Sequence, residues 1–410
     1  MAGLVETLRA GAWLTRERMR LVAFGVLAAS LIGLIFLVVT SNGLNDRFDR
    51  PLGTDFSNVY AAGTYVLDGQ PTAPFDPPRQ FIREQSIFGA KTQFYGWHYP
   101  PFFLALAALL ATMPYWLSLL VWQGTTLAAY LGTMQAIAPR GEPMWLLLAA
   151  AYPAVFVNLG HGHNGFLTAA LFGAALLLLE RRPWLAGVLI GLLAYKPQFG
   201  VLIPLVLIAG GYWRTFIAAM VTVAALAFAV TLAFGAEVWT AFLASTHFTR
   251  TVVLEQGQTG WHKIQSVFSV VRMWGGGIEL AYAVQGAVTL VVAAALIWLW
   301  RSRAAFALKA AALLIGCILA TPYSLDYDLM LLAPAIGLLA VDGLSRGFAP
   351  FEKTLLAILW IAPLVTRALA EATLIPLAVP AMLLTFALLL HRAMAETGVL
   401  RAGGILRPAP

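Results

Sequence analysis

Apolar residues run along this chain in blocks of about 15–24, divided by short polar turns, and roughly 17–25 residues is the length a membrane-crossing helix needs. The first block is Leu21–Thr40. Twelve more follow near 99–113, 115–137, 144–158, 164–180, 184–195, 198–211, 216–233, 279–300, 304–320, 327–341, 354–368 and 373–391. One long polar stretch, Ser41 to His98, interrupts the series. Within it Phe56, Tyr60, Tyr65, Phe75, Phe81, Ile82, Ile87 and Phe88 supply apolar faces. Their spacing predicts short amphipathic helices over Val59–Leu67 and Arg79–Phe88, lying along the membrane surface. Pro71, Pro74, Pro77 and Pro78 separate the two.

Composition hardens this into a fold class. Of 410 residues, 60% are hydrophobic and only 11% charged, with a mean hydropathy of +0.80, against about 25% charged in soluble domains. The pattern predicts an all-α polytopic membrane protein, one integral membrane domain over 1–410 with 41–98 as its first external loop. Soluble, disordered and disulfide-rich classes are excluded. The lone Cys317 lies inside an apolar block and allows no intramolecular disulfide.

The net charge of +7 does not imply nucleic acid, because the basic residues sit in short turns, where the positive-inside bias accounts for them. Turns with Arg181/Arg182, Arg214, Arg301/Arg303 and Arg346/Lys353, and the tail with Arg392, Arg401 and Arg407, are expected on the cytoplasmic side. Arg9, Arg16, Arg18 and Arg20 precede a first block too long for a signal-peptide core of about 7–15 residues, which predicts a retained anchor. Both termini are then cytoplasmic, in a bacterial inner (plasma) membrane. Alternation places Gly160–Asn164, Lys196–Gln198, Gly235–Trp274 and Thr321–Asp328 outside. Putting Arg140 inside requires that either 99–113 or 115–137 not cross. At about 1.5 Å per residue, 99–113 reaches roughly 22 Å of a core about 30 Å thick. The short blocks 184–195 and 198–211 also fit one helix bent at Pro197.

On this topology the polar clusters gather at one membrane face. They are Thr54-Asp55, His98-Tyr99, His161-Gly162-His163-Asn164, Lys196-Pro197-Gln198, Trp261 to Ser266 and Thr321 to Asp328. Five of the six histidines lie in that half. Asp55, followed by Tyr60 and Tyr65, is either a general base at the lipid–water boundary or a helix cap. Lys196, flanked by apolar runs, either meets a phosphate or snorkels to the interface. His161 and His163 fit hydrogen bonding better than metal binding. Asp326-Tyr-Asp328 has the D-x-D form of metal–nucleotide sites, yet acidic residues also favour a helix N-terminus, and i and i+2 do not share a helix face. No nucleotide-binding glycine motif and no H-E-x-x-H occurs.

These motifs, in this order, resemble glycosyltransferase family 87, a branch of the GT-C superfamily that includes polyprenol-phosphate-mannose-dependent α-mannosyltransferases. The likeness is carried by Asp55 with Tyr60-Ala-Ala-Gly63, Tyr99-Pro-Pro101, Gly162-His-Asn-Gly165, Ala194-Tyr-Lys-Pro-Gln198, Gln265-Ser266 and Pro322 with Asp326-Tyr-Asp328. Two positions depart from it: His163 stands where members often carry Gln, and Tyr323 where some carry His. The resemblance implies a GT-C-like bundle of about twelve transmembrane helices and an inverting, mannosyltransferase-like hexosyltransferase. A sugar would pass from a polyprenyl-phosphate carrier to a lipid or cell-envelope glycan acceptor on the external, periplasmic face. Asp55 becomes the catalytic base. The substrate would meet Tyr60, Tyr99, His161, His163, Asn164, Lys196, Gln198, His262, Lys263, Gln265, Tyr323, Asp326 and Asp328. Membrane lipids are the other expected partners, and neither a cofactor nor a divalent metal is expected. The alternative from another class is a transporter or flippase, which a lysine beside a proline break also suits.

Overall fold

The computed structural model describes residues 2–398, and the tail turn with Arg401 and Arg407 lies outside them. Among the described residues every regular element is helical, and the only strand-like contacts are isolated bridges. Among the described residues six helices are long and apolar enough to cross a membrane, or seven if the bent pair Pro143–Ala150 and Pro153–His161 counts as one span. The expectation of about twelve is therefore not reached by length and composition alone. Several of the expected blocks form apolar helices of 10–17 residues instead: Pro101–Ala111, Gly165–Leu178, Pro183–Tyr195, Pro197–Ala209 and Phe306–Leu319.

The long helices divide by what surrounds them. Arg16–Val39 starts where Thr15 accepts a hydrogen bond from the Arg18 backbone, and Ala23 is its one buried residue, so its apolar surface faces outward. Trp213–Phe234 is almost as exposed, packing chiefly on Pro183–Leu192. Phe306–Leu319, by contrast, is buried over nearly its whole length and forms the axis of the core. At the end of the bundle remote from Asp326, Arg392 bonds to Asp342 at 2.9 Å and also to Glu352, tying three helices together.

Proline sets the breaks that shape the interior. Pro197 has no N–H, and the residue before a proline is pushed out of helical geometry. Lys196 accordingly adopts φ −126°, ψ 71°, between the helical stretches Pro183–Tyr195 and Pro197–Ala209. The chain is thus interrupted here, and the lysine sits at the gap. Pro153 ends another helix in the same way, giving a bend of 46°.

In the first loop the two expected amphipathic helices form over Thr54–Leu67 and Pro77–Phe88, the second capped by Asp76, which accepts from the Arg79 N–H. Thr54–Leu67 is pressed onto Leu104–Ala111 at Gly63, where a Cβ would fall 2.1 Å from the Ala107 carbonyl oxygen. Only glycine permits that approach. The stretch 235–274, for which alternation predicted only an external position, contains Glu237–Phe248, a π-helical turn Thr249–Glu255, a 3-10 turn Trp261–Lys263 and Val267–Met273.

Candidate functional site

Asp55 occupies the first turn of Thr54–Leu67, but it caps nothing. The capping position belongs to Gly53, whose φ of 71° suits glycine, and no side chain closes this helix end. Thr54 turns its hydroxyl to His161, with Oγ1 2.7 Å from Nδ1. Among the described residues Asp55 makes no hydrogen bond or ion pair with protein, and it remains partly exposed. Burial of its surroundings pushes its carboxyl above the usual range. Positive charge at His161 opposes that, Asp326 adds to it, and Lys196 and Lys263 oppose it. A carboxylate with a raised proton affinity and no protein partner is suited to accept a proton.

Three polar stretches distant in sequence close around it. The turn Trp261–Lys263 is fixed to the loop before Asp326 by the Ile264–Leu325 bridge and by Gln265 N–H donating to Ser324 O at 2.6 Å. Gln265 itself is fully buried and accepts from Thr366 Oγ1 at 2.8 Å, which makes it a fastener between segments. His163 stacks on Tyr327 at 3.4 Å between ring centres, with Nε2 3.3 Å from Tyr99 Oη. Asn164 beside it is buried with both amide atoms unpartnered.

Lys196 does not snorkel. Its Nζ lies 2.5 Å from Asp328 Oδ1, and both side chains are only 4% exposed. Asp328 Oδ2 meanwhile accepts from Leu325 N–H. Asp326 looks another way, towards Arg367 Nη1 at 3.6 Å. The two aspartates of D-x-D thus serve different cations. Among the described residues no group of three His, Cys, Asp or Glu side chains is placed to hold a metal ion.

A cavity of about 290 Å³ opens beside this centre, lined by His98, Tyr99, His163, Lys196, Gln198, Tyr323 and Asp328, and also by Phe242, Thr249 and Arg250. His98 Nδ1 lies 2.8 Å from Thr249 Oγ1, and burial lowers its pKa to about 4, so it is neutral. Burial pushes the Tyr323 hydroxyl up, keeping it protonated as a donor.

Of the expected site residues, the structure gathers Asp55, Tyr99, His161, His163, Lys196, Lys263, Tyr323, Asp326 and Asp328 around one centre, with Gln198 on the cavity wall and His262 at the rim. It does not bring in Tyr60, whose hydroxyl donates to Met113 O at 2.9 Å and whose ring packs on Tyr115. Sequence reasoning missed Arg367, Thr249 and Arg250. Arg367 had a visible signal, since a charge inside an apolar block is a functional candidate by default.

The polar end of this helical membrane bundle thus holds a carboxylate without a protein partner among the described residues, two buried or half-buried lysines and an adjoining cavity. The sequence-family model described as glycosyltransferase family 87 matches residues 97–322. The chain belongs to that family, and is a membrane glycosyltransferase that uses a sugar donor and an acceptor. Comparison with curated proteins and with solved structures returned no match.

Proposed function

We propose that this enzyme moves a sugar, mannose or another hexose or pentose, from a polyprenyl-phosphate carrier to a lipid or glycan acceptor at the outer face of a bacterial inner membrane. The carrying observation is Asp55, a carboxylate without a protein partner and with raised proton affinity at the centre of converging polar loops. No nucleotide-binding motif accompanies it, which suits a lipid-borne donor.

The reaction is a single displacement at the anomeric carbon, with inversion. Asp55 removes the acceptor hydroxyl proton as the oxygen attacks. The bond from the anomeric carbon to phosphate breaks, and its electron pair leaves with the phosphate. Cations around Asp55 offset that charge in a partly dry site. Thr54 holds His161 in place beside the base. The cavity next to Lys196 and Gln198 has room for a sugar, and the outward apolar helices leave the prenyl chain in lipid.

The test is transfer by purified protein in proteoliposomes, supplied with labelled polyprenyl-phosphate sugars and a mixed lipid and glycan acceptor extract. Label entering a new glycosidic product supports the reading. Solute movement without any such product, across several polyprenyl-phosphate sugars, would overturn it.

A further inference from the structure

The positive charges around Asp55 are not equally available. Lys196 is cancelled by Asp328 inside the protein, where both side chains are 4% exposed. A phosphate approaching it would have to compete with a carboxylate already at hydrogen-bond distance. His98 is neutral. For Lys263 and Arg367 the situation reverses. Lys263 has no carboxylate within ion-pair distance among the described residues. Arg367 reaches Asp326 only at 3.6 Å, beyond a hydrogen bond, and its side chain is 41% exposed.

These two cations are held against each other. Burial lowers the Lys263 pKa, and the nearby Arg367 charge lowers it further, while Asp326 and Asp55 pull it back. Three fastenings prevent them from separating. Ile264 bridges to Leu325, Gln265 N–H donates to Ser324 O, and Gln265 Oε1 accepts from Thr366, the residue before Arg367. Two neighbouring like charges, of which only Arg367 reaches a carboxylate at ion-pair distance, are relieved by an arriving anion. The planar guanidinium suits two phosphate oxygens, and the ammonium adds a point charge.

We infer that Lys263 and Arg367 together grip the phosphate ester of the lipid-linked donor, on the Asp326 side of Asp55, while Lys196, paired with Asp328, lines the adjoining cavity. This inference rests on the donor reading above. It makes Arg367 a substrate-binding residue and gives the leaving phosphate a place within electrostatic reach of the base.

The test is equilibrium binding to the full-length protein in nanodiscs, with three probes: a polyprenyl monophosphate, the same polyprenol without phosphate, and phosphatidylglycerol. Wild type should bind the monophosphate about tenfold or more tightly than the alcohol, as one charge-assisted contact implies. Lys263→Gln and Arg367→Gln should each erode that preference, Arg367→Lys should restore part of it, and the double Gln variant should abolish it. The Lys196→Met/Asp328→Leu double variant should keep it. A preference intact in the Lys263→Gln/Arg367→Gln protein would overturn the assignment. Phosphatidylglycerol competing as well as the polyprenyl phosphate would also overturn it, by giving the site to an acceptor headgroup. Absence of any phosphate preference in wild type would instead sink the donor reading itself.

Discussion

Lys196 and Asp328, 132 positions apart in sequence, meet at 2.5 Å in the interior, each side chain 4% exposed. The pair joins the Pro197 break to the turn that opens the helix ending at Arg346, and sets Lys196 Nζ 5.6 Å from the centre of the Tyr327 ring on which His163 stacks. Removing one partner leaves a buried charge uncompensated, which costs about 3–5 kcal/mol. Lys196→Gln alone should therefore lower the thermal midpoint of the detergent-extracted protein sharply. Lys196→Met with Asp328→Leu should regain most of that stability while transfer stays depressed. Equal stability of the single variant and wild type would show that the pair is not holding the fold.

The acid limb of the rate profile should report Asp55. Burial raises its pKa, so transfer rises with pH as the carboxyl ionises, with a midpoint above the ordinary carboxylate range. His161 pulls the other way, stabilising the ionised form. Replacing it by Gln removes that pull, and the limb should move to higher pH. The profile of kcat/KM against pH for wild type and His161→Gln checks this, and an unmoved or downward-moving limb would contradict it.

Glu84 carries a separate pH effect on stability. It is fully buried in the first loop with Oε1 unpartnered, while Oε2 accepts from Tyr95 N–H at 3.0 Å. Burial raises its pKa from 4.5 to about 9. Between those values the folded state keeps a proton that the unfolded chain has lost, so stability is full at the acid end and falls as pH rises through the window. The slope is at most about 1.4 kcal/mol per pH unit. Melting followed across that range should show the decline, and Glu84→Gln should flatten it.

Chelation gives a fourth check. With Asp328 bonded to Lys196 and Asp326 facing Arg367, transfer should persist in EDTA. Loss of activity restored by adding back a divalent cation would contradict this.

Much of this architecture was legible in the chain, and the failures have physical causes. The block at 115–137 forms a helix over the same residues, because nothing interrupts it. The interruption at Lys196 was visible through Pro197, since a missing N–H acts locally. Its ion pair with Asp328 was not, because a contact across 132 positions depends on how helices pack. Asp55 was readable either as a cap or as a base; the cap is excluded by Gly53, whose positive φ takes over the helix start. Tyr60 followed Asp55 in sequence but turned away with the next helical turn, onto Met113. The helices within 235–274 went unseen because they are short and mixed in polarity, and packing rather than periodicity decides them.

The most direct test of the account compares wild type with Asp55→Asn in proteoliposomes, measuring both donor binding and the initial rate of label transfer from a polyprenyl-phosphate sugar. The carboxamide keeps the shape of the side chain and cannot take a proton. Transfer should fall by about 10²-fold or more while donor binding stays near wild type. Undiminished transfer by a correctly inserted Asp55→Asn protein would contradict the assignment of Asp55 as the base.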